Sequence, residues 1–163
     1  NAYRALIRSG YSHHDAFTIV KTKARDNSRT PMQWDDSAQA GFTTGRPWLA
    51  PTNQATINVN NELAHGEIFN YYQQLIKLRK TMPIIADGGY QSWQLDDPQV
   101  FGYWRTYHQQ KLLVLTNFYE QPTTVTLPDE MVGARVLLSN YDDVKVTSQL
   151  TMQPYQAVAL LLG

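Results

Sequence analysis

The sequence predicts a mainly β chain with an α-helical N-terminal part, the β portion forming an antiparallel sandwich. Three observations point there. After Pro83 the chain breaks into seven short β-rich runs divided by turn residues. Before Pro83 there is one long amphipathic run, at 67–82. Ahead of that run lies a polar, aromatic, turn-rich passage with no regular hydrophobic period, KARDNSRTPMQWDDSAQAGFTTGRPW at 23–48. A loop of that size inside a folded chain is usually functional or disordered.

Each element has a local reason. Ser12 is placed to cap a helix over 13–23, with Asp15 in its first turn and Ala16, Phe17, Ile19 and Val20 behind it. Pro31, Pro47, Pro51, Gly41 and Gly45 then keep the chain irregular to about Asn61. In the run at 67–82, Ile68, Tyr72, Leu75, Ile76 and Leu78 recur at three- and four-residue spacing. Lys77, Arg79 and Lys80 complement the dipole in the last turns, and Pro83 ends the helix. The β-rich runs are 90–95, 100–107, 112–118, 123–127, 134–140, 144–147 and 157–162. Turn signals separate them, among them Asp96-Asp97-Pro98, His108-Gln109-Gln110 and Gln153-Pro154. Alternation along 100–107 sets Phe101, Tyr103, Arg105 and Tyr107 on one face and Gly102, Trp104 and Thr106 on the other.

Composition narrows the function. The 163 residues are 42% hydrophobic and 17% charged, which is ordinary for a globular chain. Fourteen basic residues balance fourteen acidic ones, which argues against nucleic acid or an anionic membrane as a partner. Cysteine is absent, so disulfides and thiolate metal sites are excluded. His13 and His14 are adjacent and cannot share one helical face; His65 and His108 sit at turns, and no spacing suits zinc. No metal and no cofactor is therefore expected. The opening residues lack the apolar core of a secretory signal. A lone amphipathic helix after a loop of roughly forty residues has no layer to pack on except the sandwich, so the first half looks like the end of something larger.

The string Ala24-Arg25-Asp26-Asn27-Ser28-Arg29-Thr30-Pro31-Met32-Gln33-Trp34-Asp35 closely resembles a hallmark of the α-glucosidase branch of glycoside hydrolase family 13. The likeness continues through Ala40-Gly41-Phe42-Thr43-Thr44-Gly45, Phe69-Asn70-Tyr71-Tyr72 and Asp97-Pro98-Gln99-Val100-Phe101, and ends at Pro154-Tyr155-Gln156-Ala157. The resemblance implies a (β/α)8 barrel followed by a C-terminal antiparallel β-sandwich. Residues 1–85 would be the last loop and final helix of a barrel whose strands lie upstream, and 86–163 the sandwich domain. It also implies an intracellular, cytoplasmic, retaining enzyme for short α-linked oligosaccharides, with its catalytic carboxylates on preceding strands and none here. The 163-residue piece would then be inactive alone. Linkage preference (α-1,6, α-1,4 or trehalose 6-phosphate) stays open.

The same resemblance makes the polar passage the rim of a sugar pocket, since loops after barrel strands form the active-site face. Arginine suits such a rim because its planar fork can grip a carboxylate or donate to adjacent hydroxyls. Arg29, directly before the Thr-Pro, is the first candidate for substrate binding and Arg25 the second. A buried salt bridge pinning the loop is the competing role for Arg29, and a structural role ranks first for Arg25. Asp26, Asn27 and Asp35 read as turn caps. Trp34 and Trp48 could stack on sugar rings but read first as core; Tyr71, Tyr72, Trp93, Phe101, Tyr103 and Trp104 read as core ahead of a carbohydrate platform. The acidic pairs Asp35-Asp36, Asp96-Asp97, Asp129-Glu130 and Asp142-Asp143 read as turn residues. Without a barrel, the apolar face of helix 67–82 must find cover on its own sandwich or by self-association with a second copy. The alternative reading is a stand-alone, non-catalytic sandwich module binding carbohydrate or a protein partner, which should show an exposed aromatic platform.

Overall fold

The structure, a computed structural model, describes residues 2–93 and 97–163. The chain packs as two compact units that divide between Asn70 and Tyr71.

The first unit is helical and loop-rich. Helix α1 (Ala2–Arg8) and α2 (His13–Thr22) are joined by a turn in which Gly10 takes φ +88°. Ser12 caps α2 as expected, its Oγ accepting from the Asp15 amide at 3.0 Å. Tyr3 Oη and His13 Nδ1 are hydrogen-bonded at 2.8 Å across the pair. A 3₁₀ turn (Arg25–Ser28) follows, then a long irregular stretch, then α3 (Val59–His65) and the start of α4 (Glu67–Thr81). Two of these helices were not expected. Helix α3 starts on Asn58, whose Oδ1 accepts from the Asn61 amide at 2.8 Å. Its sequence, VNNELAH, has almost no apolar period by which to be seen.

Little apolar surface is buried in this unit. Ala16 and Ala40 are fully enclosed, while Trp34 is 49% and Trp48 82% exposed. The expectation that both tryptophans are core residues is therefore corrected. The loop around them is held by polar hydrogen bonds rather than by an apolar layer that could receive the rings.

The second unit begins with the rest of α4, the four-residue helix α5 (Pro83–Ala86), and then strands alone. Pro83 ends α4 and, at the first position of α5, starts the next helix. The strands are β1 (Gly89–Trp93), β2 (Val100–Tyr107), β3 (Gln110–Asn117), β4 (Thr123–Thr126), β5 (Arg135–Ser139), β6 (Gln149–Met152) and β7 (Ala157–Leu162). They form an antiparallel five-stranded sheet in the order β1-β2-β3-β7-β5 and a two-stranded sheet of β4 and β6. The β2–β3 hairpin turns on His108 and Gln109, with His108 at φ +53° between paired Tyr107 and Gln110.

The main core lies on the large-sheet face that carries Leu113, Leu115, Val158 and Leu160, packed with Val125, Leu150 and Met152 of the small sheet. Trp93 and Trp104 pack at its edge, as expected. The opposite face is also covered: Ile84 of α5 packs there with Leu112 and Leu161. Coverage on both sides explains why β3 and β7 read as continuous apolar runs rather than alternating ones. Arg105 fastens α5 to this face, its guanidinium donating to the carbonyls of Ile84, Ile85 and Ala86 at 3.0–3.4 Å.

Two expectations are corrected here. The strand expected at 144–147 does not form; β6 lies at Gln149–Met152 instead. Val144 and Val146 do alternate inward and pack on the main core, so the period of two was real burial, but the segment has no ladder partner. Tyr72 and Phe101, expected in the core, are 64% and 48% exposed. The predicted run at 90–95 and the turn at Asp96 extend into residues 94–96, which lie outside the described residues.

Candidate substrate-facing loop

The polar passage is built outward from the end of α2. Asn27 donates from Nδ2 to the carbonyls of Lys21 and Thr22 at 3.0 and 3.2 Å, satisfying the orphan acceptors of that helix end. The Arg29 amide donates to the Asp26 carbonyl at 3.1 Å, and Ser28 Oγ to the Arg25 carbonyl at 3.0 Å, closing the 3₁₀ turn. Arg25 and Arg29 therefore stand at the two ends of a short, braced turn. Both side chains are exposed, and neither guanidinium has a hydrogen bond or ion pair among the described residues. The buried salt bridge weighed for Arg29 is absent among the described residues. The single ion pair found there is a surface contact far along the chain, Lys111 with Glu130 at 2.6 Å.

After the turn, the loop is tied by Gln33. Its Nε2 donates to Asn53 Oδ1 at 2.9 Å and to the Ile57 carbonyl at 2.7 Å, and its Oε1 accepts from the Thr52 amide at 3.1 Å. The backbone joins in: the Val59 amide donates to the Gln33 carbonyl at 2.9 Å and the Asn60 amide to that of Trp34 at 3.1 Å. Asn58, only 6% exposed, adds a bond from Nδ2 to the Gln54 carbonyl at 2.7 Å. A cleft of about 480 Å³ lies against this clasp, lined among others by Thr30, Met32, Gln33, Ile57 and Glu62.

Asp35 is a turn builder, as the sequence suggested. Its Oδ1 accepts from the Ser37 amide at 3.0 Å and from Ser37 Oγ, and the Trp34 amide closes the loop on the Ala40 carbonyl at 2.8 Å. Gly41 is required next to it. It takes φ +63°, and a Cβ there would meet Asp35 Oδ2 at 2.6 Å.

Elsewhere, acidic side chains serve the fold. Asp97 takes the Gln99 amide at 2.8 Å and Thr123 Oγ1 at 2.7 Å, and Glu130 pairs with Lys111. Among the described residues there is no cluster of three His, Asp or Glu side chains fit to hold a metal. No helix among them is long and apolar enough to cross a membrane. The residues that sequence reasoning missed are Gln33 and Asn58. The partners of Gln33 lie 19–24 residues away and cannot be read from its neighbours, whereas those of Asn58, Gln54 and Asn61, are local, and Asn58 was missed because an asparagine in a polar loop looks like any other.

The geometry has counterparts. Residues 4–88 match the family described as alpha amylase, catalytic domain, and residues 100–159 match the alpha-amylase SusG C-terminal domain. Among curated relatives, trehalose-6-phosphate hydrolase of Bacillus subtilis (strain 168) is 38% identical over 168 residues, covering 99% of this chain and 30% of that protein. Oligo-1,6-glucosidase of Bacillus cereus is 41% identical over 168 residues, with the same two coverages, 99% and 30%. The crystal structure of Bacillus licheniformis trehalose-6-phosphate hydrolase (TreA) superposes with a TM-score of 0.87 at 40% identity, covering 100% of this chain and 31% of that one. The chain thus spans about 30% of the length of the curated relatives it matches. With a catalytic-domain match over more than half its length and a C-terminal-domain match over much of the rest, the chain belongs to the alpha-amylase family, glycoside hydrolase family 13.

Proposed function

We propose that this chain is the C-terminal part of a retaining α-glucosidase that removes glucose from short α-linked oligosaccharides. Residues 1–85 are read as the last loop and final helix of its (β/α)8 barrel, and 86–163 as its C-terminal sandwich domain. In retaining glycosidases two carboxyl groups about 5–5.5 Å apart act as nucleophile and acid/base. In this reading both come from strands that precede the chain, so the chain alone is inactive. A cytoplasmic enzyme without cofactor belongs to the same reading.

One observation carries it. Within the segment matching a catalytic domain, Arg29 projects an uncommitted guanidinium from a turn that is braced on both sides. A charged donor held in place yet left without a partner is suited to a ligand supplied from outside. Arg29 is assigned to the glucose-binding wall and Arg25 to its flank. Support for the substrate class comes from the relatives named oligo-1,6-glucosidase and trehalose-6-phosphate hydrolase.

The test is glucose release from isomaltose, maltose and trehalose 6-phosphate by the full-length parent and its Arg29→Ala variant. A large fall in kcat/KM at unchanged Tm is expected. Unchanged kinetics would make the loop a structural brace, and hydrolysis by the 163-residue chain alone would overturn the assignment of catalysis to preceding strands.

A further inference from the structure

The stretch 144–147 alternates as a strand does yet pairs with none, and a polar cleft lies beside it. Val144 and Val146 turn inward onto the main core, as do Leu150 and Met152 of β6. Period-two alternation therefore turns Lys145 outward on the first stretch, and Thr151 and Gln153 outward along β6 and just beyond it. Strand β6 pairs with β4 along one edge and, among the described residues, with no strand along the other. Residues of both stretches line a cleft of about 310 Å³.

The fold braces one wall of this cleft. Tyr141 lines it, donating from Oη to the Pro154 carbonyl at 2.8 Å while its amide donates to Ser139 Oγ at 3.0 Å. Gln156 lines it too and is 2% exposed; its Oε1 accepts from the Gln153 amide at 2.8 Å and its Nε2 donates to Ser139 Oγ at 3.2 Å. The other lining groups are uncommitted. The side chains of Asp142, Asp143, Lys145, Thr151 and Gln153 make no hydrogen bond or ion pair among the described residues.

These groups select a ligand by charge and by hydrogen-bonding type. Two carboxylates against one ammonium disfavour phosphate and other anions. Among the described residues no third acidic or histidine side chain joins the two carboxylates to hold a metal. A neutral polyhydroxyl does fit, because each hydroxyl both donates and accepts: carboxylates take its protons, the ammonium donates to its oxygens, and threonine and glutamine do both. Tyr141, 40% exposed and fixed by its own hydrogen bond, adds a rigid ring for the C–H face of a sugar. The volume lies at the lower end of small-ligand sites, about 300–1,000 Å³, which suits a short saccharide rather than a long chain. We propose that this cleft of the β unit binds a neutral mono- or disaccharide, a property separate from the reading of the chain as part of a glucosidase.

Amide NMR titration of the 163-residue chain with maltose, isomaltose and trehalose tests this. At least one sugar should shift the signals of Asp142, Lys145, Thr151 and Gln153 saturably, in the millimolar range. Lys145→Met should weaken that binding about tenfold and Thr151→Val about threefold, the loss of a charged and of a neutral hydrogen bond. Both variants should keep the Tm of the chain, since neither side chain has a partner to lose among the described residues. The absence of a saturable shift with all three sugars would overturn the proposal, as would shifts that spare these four residues. Unchanged affinity in both variants would overturn it too. So would inorganic phosphate or calcium chloride moving the same signals where the sugars do not. Activity is read separately: a full-length parent without glucosidase activity would sink the functional reading and leave this cleft standing.

Discussion

The Nε2 of Gln33 donates to the carbonyl oxygen of Ile57 at 2.7 Å, clasping two parts of the loop 24 residues apart. The same amide reaches Asn53 and the Thr52 amide, so one half-buried side chain sets the path of the segment that carries Arg29. Removing it should matter more than its place in a polar loop suggests. Gln33→Leu leaves the Thr52 amide and the Ile57 carbonyl without these partners, at about 1–3 kcal/mol in total. Limited proteolysis should then cut between Thr30 and Thr52 faster, with the far-UV signal of the β unit unaltered. Gln33→Glu keeps the acceptor and loses the donor, and should fall between.

Arg29 and Arg25 separate by role. In the full-length parent, Arg29→Ala should lower kcat/KM by about 10–100-fold, the loss of one charge-assisted hydrogen bond of roughly 1.5–3 kcal/mol. Arg25→Ala should lower it less. Neither should shift the Tm of the 163-residue chain, where neither guanidinium is paired among the described residues. Parallel Tm losses in both variants would return these arginines to a structural role.

Asn117 is 1% exposed and donates to the carbonyls of Gln121 and Gln153 at 2.8 and 3.0 Å while accepting from the Tyr119 amide. Asn117→Asp would set a carboxylate against two carbonyls in a buried site, costing about 2–4 kcal/mol. Urea unfolding should show a lower midpoint with the slope unchanged. Since protonation restores a donor, the deficit should shrink at acid pH.

Burial raises the Tyr71 phenol above its usual value of 10.0. The folded state therefore holds its proton where the unfolded chain has released it. The stability linked to this proton is whole below about pH 10 and is lost as pH rises through the folded value. Tyr71→Phe should flatten that alkaline decline in a Tm-against-pH series, leaving neutral-pH stability nearly unchanged.

Much of this protein was settled by local chemistry. The Ser12 cap, the stop at Pro83, the hairpin at His108 and the strands at Val100–Tyr107 and Ala157–Leu162 follow from residues close in sequence, because capping, ring closure and side-chain alternation act over a few positions. The family, too, was legible in the string from Ala24 to Asp35. What only the tertiary structure decided depends on partners far along the chain. Val144 and Val146 alternate like a strand, but a ladder needs a neighbour, and β4 pairs with Gln149–Met152 instead. Trp34 and Phe101 are as apolar as any core residue, but whether a ring is buried depends on a layer that sequence periodicity does not supply. Gln33 could be recognised as a clasp only once Asn53 and Ile57 were beside it. Hydrogen bonds and burial are relations between distant residues, and those relations exist only in the folded chain.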